Sequence, residues 1–186
     1  MARKKKTKQA GYTRYPLKSL LAYNGLTVLH YLLGAAGLWL GYRSSWAGPA
    51  LAAAYLAFAF GQMYLLLPRQ VCRHCVYTRL QSGRCISGLN VLARKLGRPG
   101  DARLFATRAR GPFSPNNVCL AARILPILGL VPALIVDLTL LLLGIALALV
   151  ALLLLRVLVL FPRVACARCL ARNACPNAAA MGLAGR

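Results

Sequence analysis

The sequence predicts an all-α integral membrane protein, with four transmembrane helices in two helical hairpins and a small Cys-rich cytosolic platform. Three observations carry that prediction. Hydrophobic residues make up 59 % of the 186 residues and mean hydropathy is +0.60, against roughly half apolar residues in an ordinary soluble domain. Apolar runs of about 20 residues recur, the length that crosses a bilayer core of roughly 30 Å. The 24 Lys+Arg residues face only 2 acids, giving a net charge of +22, and they cluster between the apolar runs rather than within them.

The same composition excludes several chemistries. There is no Glu, and Asp101 and Asp137 are the two acids. Glycoside hydrolysis by a carboxylate pair is therefore excluded, since two acids must flank one bond. So is an all-carboxylate calcium or magnesium cage. With 2 His in the chain, a three-His metal centre is impossible.

The first apolar run is Leu20 to Leu40, and residues 1–19 before it form a basic N-terminal tail. That run is too long for the h-region of a cleaved signal peptide, so an uncleaved first span is expected. The second run, Ala47 to Leu67, is expected to end at Pro68. Gly41 to Trp46 forms the turn between them, with Tyr42 and Trp46 as interfacial aromatics. The two runs make a first hairpin over 20–67, followed by a Cys-rich loop over 68–119.

The apolar stretch Leu120 to Phe161 would be about 63 Å long as one helix, which no bilayer requires. A second hairpin over 120–161 is expected instead, turning at Asp137-Leu138-Thr139. Asp137 is expected to cap the fourth helix. A Cys-rich tail over 162–186 completes the chain.

Orientation follows from the basic residues. Arg3, Lys4, Lys5, Lys6, Lys8, Arg14 and Lys18 precede the first run, and the 68–119 loop is strongly basic. The first turn carries Arg43 alone. The positive-inside rule therefore places both termini and the central loop in the cytosol, with the chain in the cell's inner (cytoplasmic) membrane. Arg156 is expected to snorkel to the cytosolic interface. The lipid bilayer is the expected partner, with anionic headgroups at Met1 to Lys8 and an unidentified protein at the platform. Nucleic acid is not an expected partner, because no aromatic-interleaved platform accompanies the charge.

Six of the 7 Cys fall into two similar sets. One is Cys72-Arg-His-Cys75 with Cys85; the other is Cys166-Ala-Arg-Cys169 with Cys175-Pro176. Each follows an apolar run that ends in Leu67-Pro68-Arg69 or Phe161-Pro162-Arg163. The chain thus holds a loose repeat of span, Pro, Arg, C-x-x-C and Cys. A C-x-x-C turn points two thiolates at one metal, and two such pairs make a four-thiolate tetrahedral zinc site. The candidate metal ligands are Cys72, Cys75, Cys85, Cys166, Cys169 and Cys175, taken either as one shared site or as one site per set. His74 is a candidate fourth ligand to the first set, although a residue inside a knuckle often points away.

Zinc is the expected cofactor, and an iron–sulfur cluster is the alternative. The second set is similar to the ferredoxin run C-x2-C-x2-C-x3-C-P, but Arg172 stands where its third Cys belongs. The expected function is a scaffolding, assembly or regulatory platform organised by the metal. The alternative is a membrane redox protein, either an iron–sulfur electron carrier or a thiol–disulfide oxidoreductase. Membrane disulfide oxidases and vitamin K epoxide reductase share the four spans and a C-x-x-C, but their active Cys face the oxidising side. Cys119 stands apart from both sets and is expected to be structural.

The motif Cys72-x-x-Cys75-x-Tyr77 with Cys85, then Cys166-x-x-Cys169 and Cys175-Pro176, resembles a group of uncharacterised prokaryotic four-span membrane proteins. The resemblance covers the two cysteine segments and the span order, and it implies no activity. Members of that group often carry an aromatic and a Gly after the first knuckle. Here Tyr77 is followed by Thr78-Arg79, and the first Gly is Gly83.

Within the spans, Asn24, Thr27, His30 and Tyr31 form a polar patch on the first helix. Interhelical hydrogen bonding is the expected role, with Gln62 as a partner, and a quinone or proton site at His30 is the sharper alternative. A short amphipathic helix is expected at Leu89 to Leu96.

Overall fold

The computed structural model describes residues 11–110 and 114–184. The expected lipid contact of Met1 to Lys8 lies outside the described residues. The architecture is helical, with isolated backbone bridges at Tyr12–Cys169 and Arg14–Arg84 as the β-type pairing among the described residues.

Long helices form the body. Helix α1 is Leu17–Gly41 and α2 is Ala47–Gly61. A π-helical turn over Gln62–Leu66 carries α2 into α3, Leu67–Gln70. Helix α4 is Val76–Arg79, α5 is Leu89–Leu96 and α6 is Phe105–Arg108. The long α7, Pro115–Val136, turns back into α8, Leu140–Leu154. A π-helical segment, Leu155–Ala165, prolongs α8, and α9 is Pro176–Ala180. Helix α1 packs against α2, α7 and α8, and α7 against α8.

Among the described residues, three helices are long and apolar enough to cross a membrane: Ala47–His74, Asn116–Val136 and Leu140–Ala165. Their large outward side chains are apolar, including Leu128, Val136, Leu140, Leu147 and Leu158. Helix α1 differs because it buries Thr27, His30 and Tyr31 on its inward face.

The second hairpin turns where the sequence places it. Helix α7 ends at Val136 and α8 starts at Leu140. The cap differs from expectation. The Thr139 hydroxyl accepts from the Leu142 amide at 3.4 Å, whereas Asp137 ends α7 and reaches Arg43 at 4.0 Å. Thr139 wins because it stands three residues before that free amide, the reach of an N-cap side chain. The Arg43–Asp137 pair is exposed, so it stabilises by at most about 1 kcal/mol.

Neither Pro68 nor Pro162 ends its helix. Pro68 follows one π-helical turn and Pro162 lies inside the other. A π-turn shifts the hydrogen-bond pattern from i→i+4 to i→i+5, and such local widening accommodates a residue that cannot donate. The loose repeat noted in the sequence thus has a common backbone device: a widened turn at Leu/Phe-Pro-Arg that delivers each C-x-x-C.

Small residues let the helices meet. A side chain at Gly34 would stand 2.9 Å from both Pro126 and the Tyr55 ring. Pro126 cannot donate to the carbonyl four residues back, which is that of Ala122. The buried Tyr55 hydroxyl donates to it instead, at 3.0 Å. Tyr42 also donates to the Gly129 carbonyl at 2.8 Å. The carbonyl that Pro126 leaves open in α7 is therefore satisfied by a side chain from α2.

Candidate functional site

Both cysteine knuckles are tight turns of the same kind. The Cys75 amide donates to the Cys72 carbonyl at 3.0 Å, and the Cys169 amide to the Cys166 carbonyl at 3.2 Å. Thr78 reinforces the first, donating from its hydroxyl to the Cys72 carbonyl at 2.6 Å. Cys85 is positioned by Asn90, which is buried at the start of α5. Its Oδ1 accepts from the Cys85 amide at 3.0 Å, and its Nδ2 donates to the carbonyls of Gly83 at 2.8 Å and Tyr77 at 3.2 Å. Cys175 precedes α9, whose first residue Pro176 has no amide to leave unpaired.

The two sets meet at one end of the bundle. Cys75, Cys169 and Cys175 pack around Val71, Phe105, Ala109 and Ala171. Cys75 lies near enough to Cys85, Cys169 and Cys175 for their charges to interact, and Cys169 lies near Cys175 and Cys85. Cys166 neighbours Cys175 and Cys169. Cys72 stands on the bundle side, beside Cys85, Cys75 and Cys119. All seven cysteines are free thiols. Among the described residues, no three His, Cys, Asp or Glu side chains are gathered as they would be around an ion.

Burial governs the state of these thiols. It pushes Cys75 and Cys166 up to about 12 and Cys169 up to about 11, with neighbouring cysteines adding to the shift. A thiolate is disfavoured where there is little water to solvate it.

His74 does not join the cysteines. Its Nδ1 donates to the Asp101 carbonyl at 2.9 Å, and its Nε2 accepts from Arg73 Nε at 3.0 Å. With both ring nitrogens engaged, it acts as a brace for the loop. Gly100 lies against it so closely that an added Cβ would stand 2.5 Å from the ring.

An aromatic strap fastens the two sets together. Residues 11–15 run between them. The Tyr12 amide donates to the Arg168 carbonyl at 2.8 Å, and the Tyr15 amide to the Arg84 carbonyl at 2.9 Å. The Tyr15 hydroxyl reaches the Ala165 carbonyl at 2.5 Å. Tyr77 is the hub. Its hydroxyl donates to the Tyr12 carbonyl at 2.6 Å and accepts from the Leu170 amide at 3.2 Å. Burial raises the Tyr15 and Tyr77 hydroxyls above the ordinary phenol range, so both remain donors at neutral pH. Arg168 covers the Tyr12 ring and bonds its hydroxyl.

Sequence reasoning missed this strap. The aromatic residues Tyr12 and Tyr15 inside a basic tail were its signal. Asn90 was missed as well, because one Asn on an amphipathic helix looks like a surface residue.

Inside the bundle, His30 Nε2 donates to the Arg123 carbonyl at 3.0 Å. Gln62 Nε2 donates to the Tyr31 hydroxyl at 3.4 Å, and the Cys119 thiol donates to Gln62 Oε1 at 2.8 Å. Asn24 bonds the Leu20 and Ser87 carbonyls. His30, Gln62 and Cys119 thus bond between helical segments, whereas Asn24 bonds its own helix and the turn at Ser87.

No protein-family model, curated protein or solved structure matches the chain.

Proposed function

We propose that this is a four-span integral membrane protein whose cytosolic end is a thiol-rich platform for scaffolding, assembly or regulation, closed by a zinc ion. The observation that carries the reading is the meeting of two C-x-x-C segments, separated in sequence by a whole helical hairpin, around Cys75, Cys169 and Cys175. Helix α1, at 25 residues, is about 37 Å long and serves as the further span, since length suffices and its polar groups face inward. The positive-inside rule puts the cysteine end in the cytosol and the chain in the inner membrane.

The donor chemistry suits zinc. Thiols abound there, and thiolate is a preferred zinc ligand. Cys75, Cys169 and Cys175 share one packed cluster, and Cys72, Cys85 and Cys166 are the further candidates for a fourth ligand. Holding one ion requires these thiols to turn towards one another and lose their protons. The bound ion would supply a structural crosslink, which matters most where a polar segment lacks a large core of its own.

Limited proteolysis tests the platform. Cys75→Ser, Cys169→Ser, Cys72→Ser and Cys166→Ser are each expected to speed cleavage of the 68–119 loop while the spans stay inserted. A chelator is expected to do the same to the unmodified chain. Unchanged protease resistance throughout would remove the metal-closed platform.

A further inference from the structure

We infer that α1, α7 and the π-helical end of α8 form a binding site for a phosphate-type oxyanion, built on Arg123 and Arg156. Both arginines lie in helices apolar enough to span a membrane, yet they are only 5 % and 3 % exposed. Arg156 does not snorkel outward as its position in the sequence suggests. It turns into the bundle, where its Nη1 donates to the Thr27 hydroxyl at 2.7 Å and its guanidinium lies 4.2 Å from the Tyr23 ring and 5.4 Å from Phe161. Arg123 donates from Nη1 to the Cys119 carbonyl at 2.7 Å and lies 5.9 Å from the Tyr31 ring.

Those contacts leave donors over. Arg156 Nε and Nη2 and Arg123 Nε are buried without a hydrogen-bond partner. Nε and Nη2 form one edge of the guanidinium fork, the edge that grips two oxygens of a carboxylate or phosphate side by side. Arg156 therefore holds a complete bidentate edge in reserve.

No side-chain counter-charge comes from the chain. Its two carboxylates are engaged elsewhere: Asp137 faces Arg43 and Asp101 faces Arg79. An arginine cannot shed its proton to escape burial, and an unpaired buried charge is strongly disfavoured. Ring faces offset part of that cost, but they leave the N–H edge unsatisfied. Both residues meet one face of α1: Arg156 donates to Thr27, and the Arg123 carbonyl accepts from His30, three residues further on. Two buried cations with free N–H groups call for an anion from outside the chain.

Two buried guanidinium groups suit a doubly charged oxyanion such as phosphate better than a singly charged carboxylate. Arg123 lies about 12 Å along α7 from its start, and Arg156 about 13 Å from the helix end at Ala165. Both stand in the cysteine half of the bundle, about two helical turns inside the end where headgroup phosphates of that leaflet sit, so a lipid phosphate would have to be drawn inward to reach them. The phosphate group belongs either to an anionic lipid or to a free phosphate ion.

The test uses the full chain in detergent, with phosphatidylglycerol, phosphatidylcholine or inorganic phosphate as probes. Lipid retention is read by native mass spectrometry and protection by thermal unfolding. Phosphatidylglycerol is expected to be retained and to raise the midpoint. Arg156→Gln and Arg123→Gln should each weaken it at least tenfold, and exposed Arg163→Gln should leave it unchanged. Arg156→Lys keeps the charge without the fork edge and is expected to give intermediate retention, which keeps the test open if a Gln variant fails to fold. Protection by inorganic phosphate alone, lost in the same variants, assigns the site to the free ion. If neither probe binds, or the Arg156 variants bind like the unmodified chain, the inference is overturned.

Discussion

The Tyr77 hydroxyl donates to the Tyr12 carbonyl at 2.6 Å, tying the first cysteine segment to a strap at the N-terminal end of the described chain. The same oxygen accepts from the Leu170 amide, so one side chain joins three segments that are remote in sequence. Tyr77→Phe removes both part-buried bonds, at about 0.5–1.5 kcal/mol for each. Hydrogen exchange at residues 12 and 170 should speed up markedly while α7 and α8 keep their protection. Unaltered exchange at both sites would show that Tyr77 is not the hub.

Asn90→Ala should loosen the Cys85 loop. The variant strands the Cys85 amide and weakens the anchoring of the Tyr77 and Gly83 carbonyls. A loss of about 2–3 kcal/mol is expected, within the range for leaving buried polar groups unpaired. Thermal unfolding in detergent measures it, and a shift no larger than that of an exposed control such as Arg163→Ala would contradict the role.

Gly34→Ala should destabilise the bundle by about 1–3 kcal/mol, the usual cost of overpacking. The new methyl would meet Pro126, whose ring has little freedom to retreat, and the Tyr55 ring. Tyr55 then loses its position under the Ala122 carbonyl. Gly25→Ala is the control, because nothing lies within 4 Å of its added Cβ. Equal stability of the two variants would rule out close packing at Gly34.

Thiol alkylation of the metal-free protein should be slow at neutral pH and still rising at pH 10. With the Cys75 and Cys166 thiols pushed up to about 12 and Cys169 to about 11, the protonated form dominates at neutral pH. The reactive thiolate then grows about tenfold with each pH unit below the pKa. Residue-resolved labelling with iodoacetamide checks this. A rate that levels off near pH 9 would mean these thiols are not buried.

Membrane-impermeant maleimide labelling in spheroplasts tests the topology. Single cysteines placed at Ser45 and Leu138 in a cysteine-free background should label from outside, and one at Asn177 should not. Labelling of the Asn177 site alone would invert the orientation, and labelling at Ser45 without Leu138 would break the second hairpin.

Much of the helical layout was legible. The length of Leu120 to Phe161 forces a hairpin, and its turn falls at 137–139; the helix Leu89–Leu96 matches its amphipathic pattern. Three features were not legible, each for a physical reason. The strap has no periodicity, since its bonds run to residues far along the chain, such as Ala165 and Arg84. The prolines look like helix ends because sequence rules assume α-geometry, and π-turns lift that restriction. Arg156 looks like a snorkelling residue because its inward partners Thr27 and Tyr23 sit on another helix. In the candidate site, the knuckles and their convergence were readable from spacing, whereas the exclusion of His74 depended on Asp101 and Arg73.

Metal and acid-labile sulfide content, taken with an absorption spectrum on protein purified anaerobically in mild detergent, tests the central claim most directly. The account predicts about one zinc per chain held by four thiolates, with no sulfide and no visible band. Protein that holds no metal, takes up none when zinc is added and keeps every thiol titratable would contradict it. Iron with sulfide would replace the zinc platform with an electron carrier.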